Sequence, residues 1–327
     1  MGYTIEQRSP SGHPRPAADR RASACDDSDM ERLETVGFIG LGLMGRPMAL
    51  NLRKKGYPLV VHSRSPGPVD ELVRAGATRA STPAEVARQA TRLITMLPDS
   101  PDVALVLEGP DGVFGALQPG TILIDHSSIA PAAARRLAAR AAELGAAMLD
   151  APVSGGDIGA ISGTLSIMVG GDAAAFAAVR PMLEAMGNPD RIVRIGDAGA
   201  GQICKVCNQM AIGGTLAAIG EAFALARKAG VDAALVRQAL LGGFAASRVL
   251  EVHGERILAS NYTPGFKAGL YAKDLRIASA ALAEHGTPAP VSAAVHQLVE
   301  ALVSSGQSDS DYSALATVLF GLAGLRD

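Results

Sequence analysis

The sequence predicts two unlike halves: an α/β doubly wound sheet over residues 35–196, then an all-helical domain over 197–327. Three observations predict it. Short apolar runs alternate with helix-length segments up to about residue 196; the stretch TVGFIGLGLMGRPMALNL from Thr35 sets a G-x-G-x-x-G spacing directly after the first apolar run; and beyond Gly199 helical patterns continue with no convincing strand. At 327 residues the chain also exceeds the size at which one core usually stops growing.

Hydrophobic residues at 48% and charged residues at 19% describe a globular chain with a well-filled core. The net charge of -2 offers no general attraction to nucleic acid or an anionic membrane, and the absence of Trp argues against base-stacking surfaces. No apolar run is seen to reach the roughly eighteen residues of a membrane span, and no secretory h-region is visible. Cys25, Cys204 and Cys207 cannot form an even disulfide framework, which points to a reducing cytoplasm. Expected partners are therefore small molecules, not nucleic acid or membrane.

Residues 1–34 are polar, lack periodicity and read as a disordered leader. Asp26, Asp27, Asp29 and Glu31 set it apart from a transit peptide. Met30, just before the first strand, marks an alternative start; a native N-terminal peptide beginning upstream of it would exclude that reading.

Val36, Phe38 and Ile39 form the first strand, and the turn Gly40-Leu41-Gly42-Leu43-Met44-Gly45 is the candidate pyrophosphate cradle of a Rossmann-type fold. Pro47 fits the first helical turn, and Gly56 stops the helix. After the second strand, Tyr57 to His62, a NAD-specific fold usually carries an acid for the ribose 2′-OH. Here Ser63-Arg64 stand instead, and a guanidinium can grip a 2′-phosphate. NADP is expected, with NAD use possible; the plainer reading makes Arg64 a solvated loop residue or a stacking partner for adenine.

Helices follow near Val69 to Ala75 and after Ser81 or Thr82, where Pro83 suits a first turn. The strand Arg92 to Leu97 ends at Pro98, at the edge where ligands of such sheets bind. Thr121 to Ile124 is a further strand, ahead of Asp125-His126-Ser127-Ser128. The paired hydroxyls can hold a carboxylate or carboxamide, or merely cap the helix after Pro131. Ala132 to Leu144 is helical, and Met148 to Asp150 opens a strand that leaves through Ser154-Gly155-Gly156, whose N–H groups can cradle a carboxylate. Thr164 to Val169 and Ile192 to Ile195 are later strands around a helix from Ala173, and residues 200–229 form one long helix.

On that helix Lys205, Asn208 and Gln209 share one face, with Ile203, Val206 and Met210 on the other. An exposed lysine is usually only solvated, but in a cleft near a carbonyl an ammonium of lowered pKa serves as a general acid. Cys204 and Cys207 make a C-x-x-C with no partner set to complete a metal site, and the six histidines are scattered, so no metal is expected. Taken alone, Lys273-Asp274 reads as a surface charge pair.

Together these segments resemble the β-hydroxyacid dehydrogenase family: GFIGLGLMGRPMALNL, TMLPDSP from Thr95, IDHSSIAP from Ile124, DAPVSGGDIGAISGTLSIMVGGD from Asp150, GAGQICKVCNQ from Gly199, GGFAASRVL from Gly242 and PGFKAGLYAKDL from Pro264 occur in the expected order. The resemblance implies a catalytic lysine at Lys205, aided by Asn208. It places Ser127, Ser128, Ser154, Gly155, Gly156, Asn208 and Lys273 around the substrate. Leu97, Pro98, Ser127 and Lys273, with Ser63 and Arg64, would line the cofactor. It further implies reversible reduction of a small 3-oxo carboxylate and a homodimer or homotetramer. GGFAASRVL favours the group acting on tartronate semialdehyde over those acting on 3-hydroxyisobutyrate, glyoxylate or succinic semialdehyde. A cofactor-sensing scaffold is the non-enzymatic rival, which the presence of Lys205, Asn208 and Lys273 together argues against.

Overall fold

The computed structural model describes residues 33–325 together with Gly2. Apart from Gly2, Leu33 and Glu34, the expected disordered leader lies outside the described residues.

The chain alternates strand and helix through its first half. In order come β1 (Val36–Ile39), α1 (Gly45–Lys54), β2 (Leu59–His62), α2 (Pro66–Arg74), β3 (Thr78–Arg79), α3 (Pro83–Gln89), β4 (Arg92–Thr95), α4 (Ser100–Glu108), β5 (Ile122–Asp125), α5 (Pro131–Glu143) and β6 (Ala147–Asp150). Next are β7 (Val153–Ser154), α6 (Gly156–Ser162), β8 (Leu165–Gly170), α7 (Ala173–Leu183) and β9 (Gly187–Gly196). Strands β1 to β6 are parallel in the order β3-β2-β1-β4-β5-β6. β8 then runs antiparallel to β6 and β7, and β9 lies parallel to β8. The strand order reverses between β1 and β4, the crevice where doubly wound sheets take ligands.

The central strands β1, β2, β4, β5 and β6 are largely apolar because both faces are covered. One face packs Phe38, Val61, Ile94, Ile124 and Leu149 against α1 and α7; the other packs Ile39, Val60, Leu93 and Leu123 against α3, α4 and α5. Thr82 caps α3 by accepting the Glu85 N–H, and Asp172 caps α7 through Ala175. The short strand β3 and the helix α6 were not expected from the sequence. Two residues cannot show a period, and Gly156 opens a helix where the glycine pair suggested only a loop.

The second half is α8 (Ala200–Lys228), α9 (Ala233–Leu241), α10 (Arg248–Leu258), α11 (Ala268–Glu284), α12 (Pro290–Leu302) and α13 (Leu315–Leu322). Leu216, Phe223, Tyr271, Leu275, Val299 and Phe320 build its core. The expectation that no apolar run reaches membrane-span length needs a correction, since α8 does, at a mean hydropathy of 1.3 over its most apolar stretch. Half of that stretch is buried within the protein, as in a core helix.

Candidate active site

The glycine turn is shaped by close approach. Gly40 has φ +99°, and a Cβ there would lie 2.2 Å from the Met96 carbonyl, so only glycine lets the β1 and β4 ends converge. A Cβ on Gly45 would lie 1.9 Å from Gly40 O, whereas Gly42 meets nothing within 4 Å. The cradle is thus tight behind and open in front, and α1 starts with no side chain capping it. These residues fit a pyrophosphate, which unpaired N–H groups at a helix start would bind. Leu43 is exposed beside the opening. Ser63 Oγ accepts the Leu41 N–H at 3.4 Å, which ties the β2 exit to the turn. Arg64 stands 81% exposed, 3.5 Å from Asp102.

Three loops meet beside this crevice. The Leu97 N–H donates to Ser127 Oγ at 2.9 Å, and Gln202 Nε2 on α8 donates to the Ser127 carbonyl at 2.8 Å. Gln202 Oε1 accepts the Ile129 N–H. Ser127 is therefore fully buried with its hydroxyl engaged, while Ser128 reaches a small cleft also lined by Ile129, Gln202, Lys205, Gln209 and Asp274.

Lys205 enters that cleft from the second turn of α8. Its Nζ donates to the Val153 carbonyl at 2.8 Å, immediately before Ser154 and Gly155. Burial holds its pKa below the usual lysine value, Asp274 partly opposing and Lys273 reinforcing the shift. Gly155 (φ +136°) and Gly156 (φ +63°) form the adjoining turn, a conformation that L side chains rarely adopt. Asn208 donates to Gln209 Oε1 at 2.8 Å, and Gln209 Nε2 to Asp274 Oδ2 at 2.6 Å. Gln209, one turn beyond Lys205, thus lines the cleft, with Asn208 as its hydrogen-bond partner. Val206, expected on the other face, also lines the cleft, since it sits three residues from Gln209 and packs on Ala278 and Ala281 of the same neighbouring helix that carries Asp274.

The surface reading of Lys273-Asp274 is corrected: the residues are 9% and 3% exposed. Lys273 Nζ donates to Pro98 O at 3.0 Å and Ser128 O at 2.6 Å, and lies 3.0 Å from Asp274 Oδ1. The sequence hides this because the accepting carbonyls lie 175 and 145 residues away. The structure thus gathers Leu97, Pro98, Ser127, Ser128, Lys205 and Lys273, with the Ser154-Gly155 turn adjoining through Val153. Within GGFAASRVL, Ser247 caps α10 through the Leu250 N–H and Phe244 is fully exposed. Cys204 and Cys207 are free thiols.

Sequence reasoning gave no role to Asp125, Asp150 and Gln202, and read Asp274 as half of a surface charge pair. For the first two a signal existed: each is an acid placed directly at the carboxyl end of an apolar strand, ILID and AMLD.

Comparisons with known proteins show the family. Residues 35–199 match the NAD binding domain of 6-phosphogluconate dehydrogenase, and residues 199–319 the NAD-binding domain of NADP-dependent 3-hydroxyisobutyrate dehydrogenase. The chain is 45% identical over 285 residues to the 2-hydroxy-3-oxopropionate reductase of Escherichia coli (strain K12), covering 87% of this chain and 96% of that protein. It is 39% identical over 290 residues to the NAD-dependent L-serine dehydrogenase of Pseudomonas aeruginosa, covering 86% and 97%. Among solved structures, the 3-hydroxyisobutyrate dehydrogenase of Mycobacterium tuberculosis with L-serine superposes with a TM-score of 0.81 at 34% identity, covering 88% of this chain and 99% of that one. With its glycine cradle and lysine cleft joined on one such fold, this chain belongs to the β-hydroxyacid dehydrogenase family and is a nicotinamide-dependent oxidoreductase acting on CH–OH groups.

Proposed function

We propose that the protein reduces tartronate semialdehyde to D-glycerate with NADPH. The observation that carries the reading is Lys205 Nζ, held at the Val153 carbonyl in a cleft shared with Ser128 and Gln209. The 45% identity to a 2-hydroxy-3-oxopropionate reductase supports the substrate.

The turn at Gly40–Gly45, the Leu97-Pro98 loop and Arg64 would hold the cofactor, which when bound supplies the hydride. Ser154, Gly155 and Gly156 would receive the substrate carboxylate through hydroxyl and N–H donors. Lys205 would donate its Nζ proton to the aldehyde oxygen as alkoxide character develops there, leaving a primary alcohol and a neutral amine that regains its proton from solvent. Lys273 would keep the Pro98 and Ser128 loops apart at a fixed spacing, through carbonyls it already binds. NADPH is favoured because an exposed guanidinium is free to exchange Asp102 at 3.5 Å for a 2′-phosphate.

The test is initial-rate oxidation of NADPH and NADH with tartronate semialdehyde, methylmalonate semialdehyde, succinic semialdehyde and glyoxylate, with L-serine in the reverse direction. Highest kcat/KM on tartronate semialdehyde with NADPH is expected, with Arg64→Ala losing about tenfold in NADPH preference. A best rate on methylmalonate semialdehyde or L-serine would move the substrate and keep the mechanism. No turnover on any would overturn both.

A further inference from the structure

Behind the strand ends runs a row of side chains that neither the glycine turn nor Lys205 uses. Parallel register sets Thr95, Asp125 and Asp150 side by side at the carboxyl ends of β4, β5 and β6. Asp125 is wholly buried, and a single oxygen, Oδ1, accepts both the Thr95 hydroxyl at 2.8 Å and the Ser127 N–H at 3.1 Å. Its Oδ2 is buried with no hydrogen-bond partner. A carboxylate in that setting is costly to keep. Burial, with the Asp150 charge beside it, pushes Asp125 up to about 6 against the hydrogen bonds it accepts.

What the fold obtains from Asp125 is the placement of Oδ1. Through it β4 and the loop after β5 are joined from below; Ser127 Oγ and the Leu97 N–H join the same two loops at mid-height, and Lys273 joins them from the helical side at Pro98 O and Ser128 O. Lose Asp125, and the Ser127 side keeps its Leu97 bond, its tie to Gln202 on α8 and the neighbouring His126 N–H to Thr95 O at 2.8 Å, but the Ser127 N–H and the Thr95 hydroxyl lose the one oxygen they share.

We propose that Asp125 is a positioning residue for cofactor binding, setting the gap between the Leu97-Pro98 and Ser127-Ser128 loops through one carboxylate oxygen. The inference rests on the cofactor placement given above. It assigns Asp125 an acceptor's role and not a charge's, so an amide with the same Oδ1 suffices.

The experiment uses the full chain with Asp125→Ala and Asp125→Asn, and reads NADPH affinity by fluorescence titration without substrate, then KM for NADPH and kcat. Asp125→Ala should weaken NADPH binding about ten- to hundredfold and raise the cofactor KM in step, while kcat at saturation stays within about threefold. Asp125→Asn should restore both to within about threefold of the unaltered protein. Three results overturn the proposal: an Asp125→Ala protein that binds NADPH normally, a kcat loss at unchanged KM, or an Asn variant as impaired as the Ala variant. If Asp125→Ala does not fold, Thr95→Val removes one of the two donors with little change of shape and should weaken NADPH binding about threefold; an unchanged affinity overturns the proposal equally. The titration needs no turnover, so a wrong substrate leaves this test intact, whereas failure of the unaltered protein to bind NADPH or NADH would remove the cofactor reading itself.

Discussion

Lys205 donates to a carbonyl, Val153 O, and not to a carboxylate, and that choice shapes its acidity. A carboxylate partner would raise the pKa; here the nearest acid, Asp274, already holds Lys273 and Gln209, and burial wins. The shift is downward from 10.5, so the neutral amine becomes accessible at lower pH than for a free lysine. Reduction needs the ammonium, so its kcat/KM should fall as pH rises through the lowered pKa. Oxidation of the alcohol needs the neutral amine and should fall as pH drops through the same value. Lys205→Met should cost about 10² to 10⁴ in kcat and flatten that limb of both profiles, with NADPH binding retained. A variant that turns over normally, or profiles whose limb survives the substitution, would remove Lys205 from proton transfer.

At the scale of elements, the helix that carries Lys205 is placed by an acid from another element. Asp150 at the end of β6 accepts the Gly199 N–H at 2.7 Å and the Gln202 N–H at 2.9 Å, so a carboxylate caps the N-terminus of α8. Burial raises its pKa against those bonds, and Gly201 lets the helix start press on β6 and β8, since a Cβ there would lie 2.4 Å from Met168 O. Asp150→Ala leaves buried helix N–H groups without acceptors, a cost of about 1–3 kcal/mol, and should lower the melting temperature by about 2–4 °C per kcal/mol. It should also lower kcat, because Lys205 lies in the second turn of the helix so loosened. Unchanged melting in a calorimetric scan would show that the cap is dispensable. The glycine turn and the place of Lys205 on a long helix were legible in the sequence because each depends on local spacing. The cap was not, since Asp150 and Gly199 meet across 49 residues through a strand order that periodicity does not encode. The contact of Asp125 with Thr95 was hidden likewise: only the register of β4 against β5 brings the two together.

For the molecule as a whole, Lys273 is one of the side chains through which the helical half grips the sheet, beside Gln202 and Lys205. Its ammonium sits between two carbonyls of the sheet loops, while Asp274 beside it holds Gln209 of α8, and the Tyr271 hydroxyl donates to the Gln209 carbonyl at 2.8 Å. One short stretch of α11 thus couples the loop crevice to the lysine helix. Lys273→Met keeps much of the side-chain volume but strands a buried Asp274 with Gln209 as its remaining partner, a change of about 3–5 kcal/mol for breaking a buried pair. If the coupling is as drawn, hydrogen exchange followed by mass spectrometry should show faster exchange in peptides covering 96–99, 126–129 and the start of α8, with the interior of α13 unchanged. Exchange that rises only within α11 would mean that the lysine stabilises its own helix, and that the two halves are held by their other contacts, among them Gln202, Lys205 and Asp150. The pattern across those loops therefore decides whether the loop crevice and the helix that carries Lys205 behave as one unit, a property that neither half shows by itself.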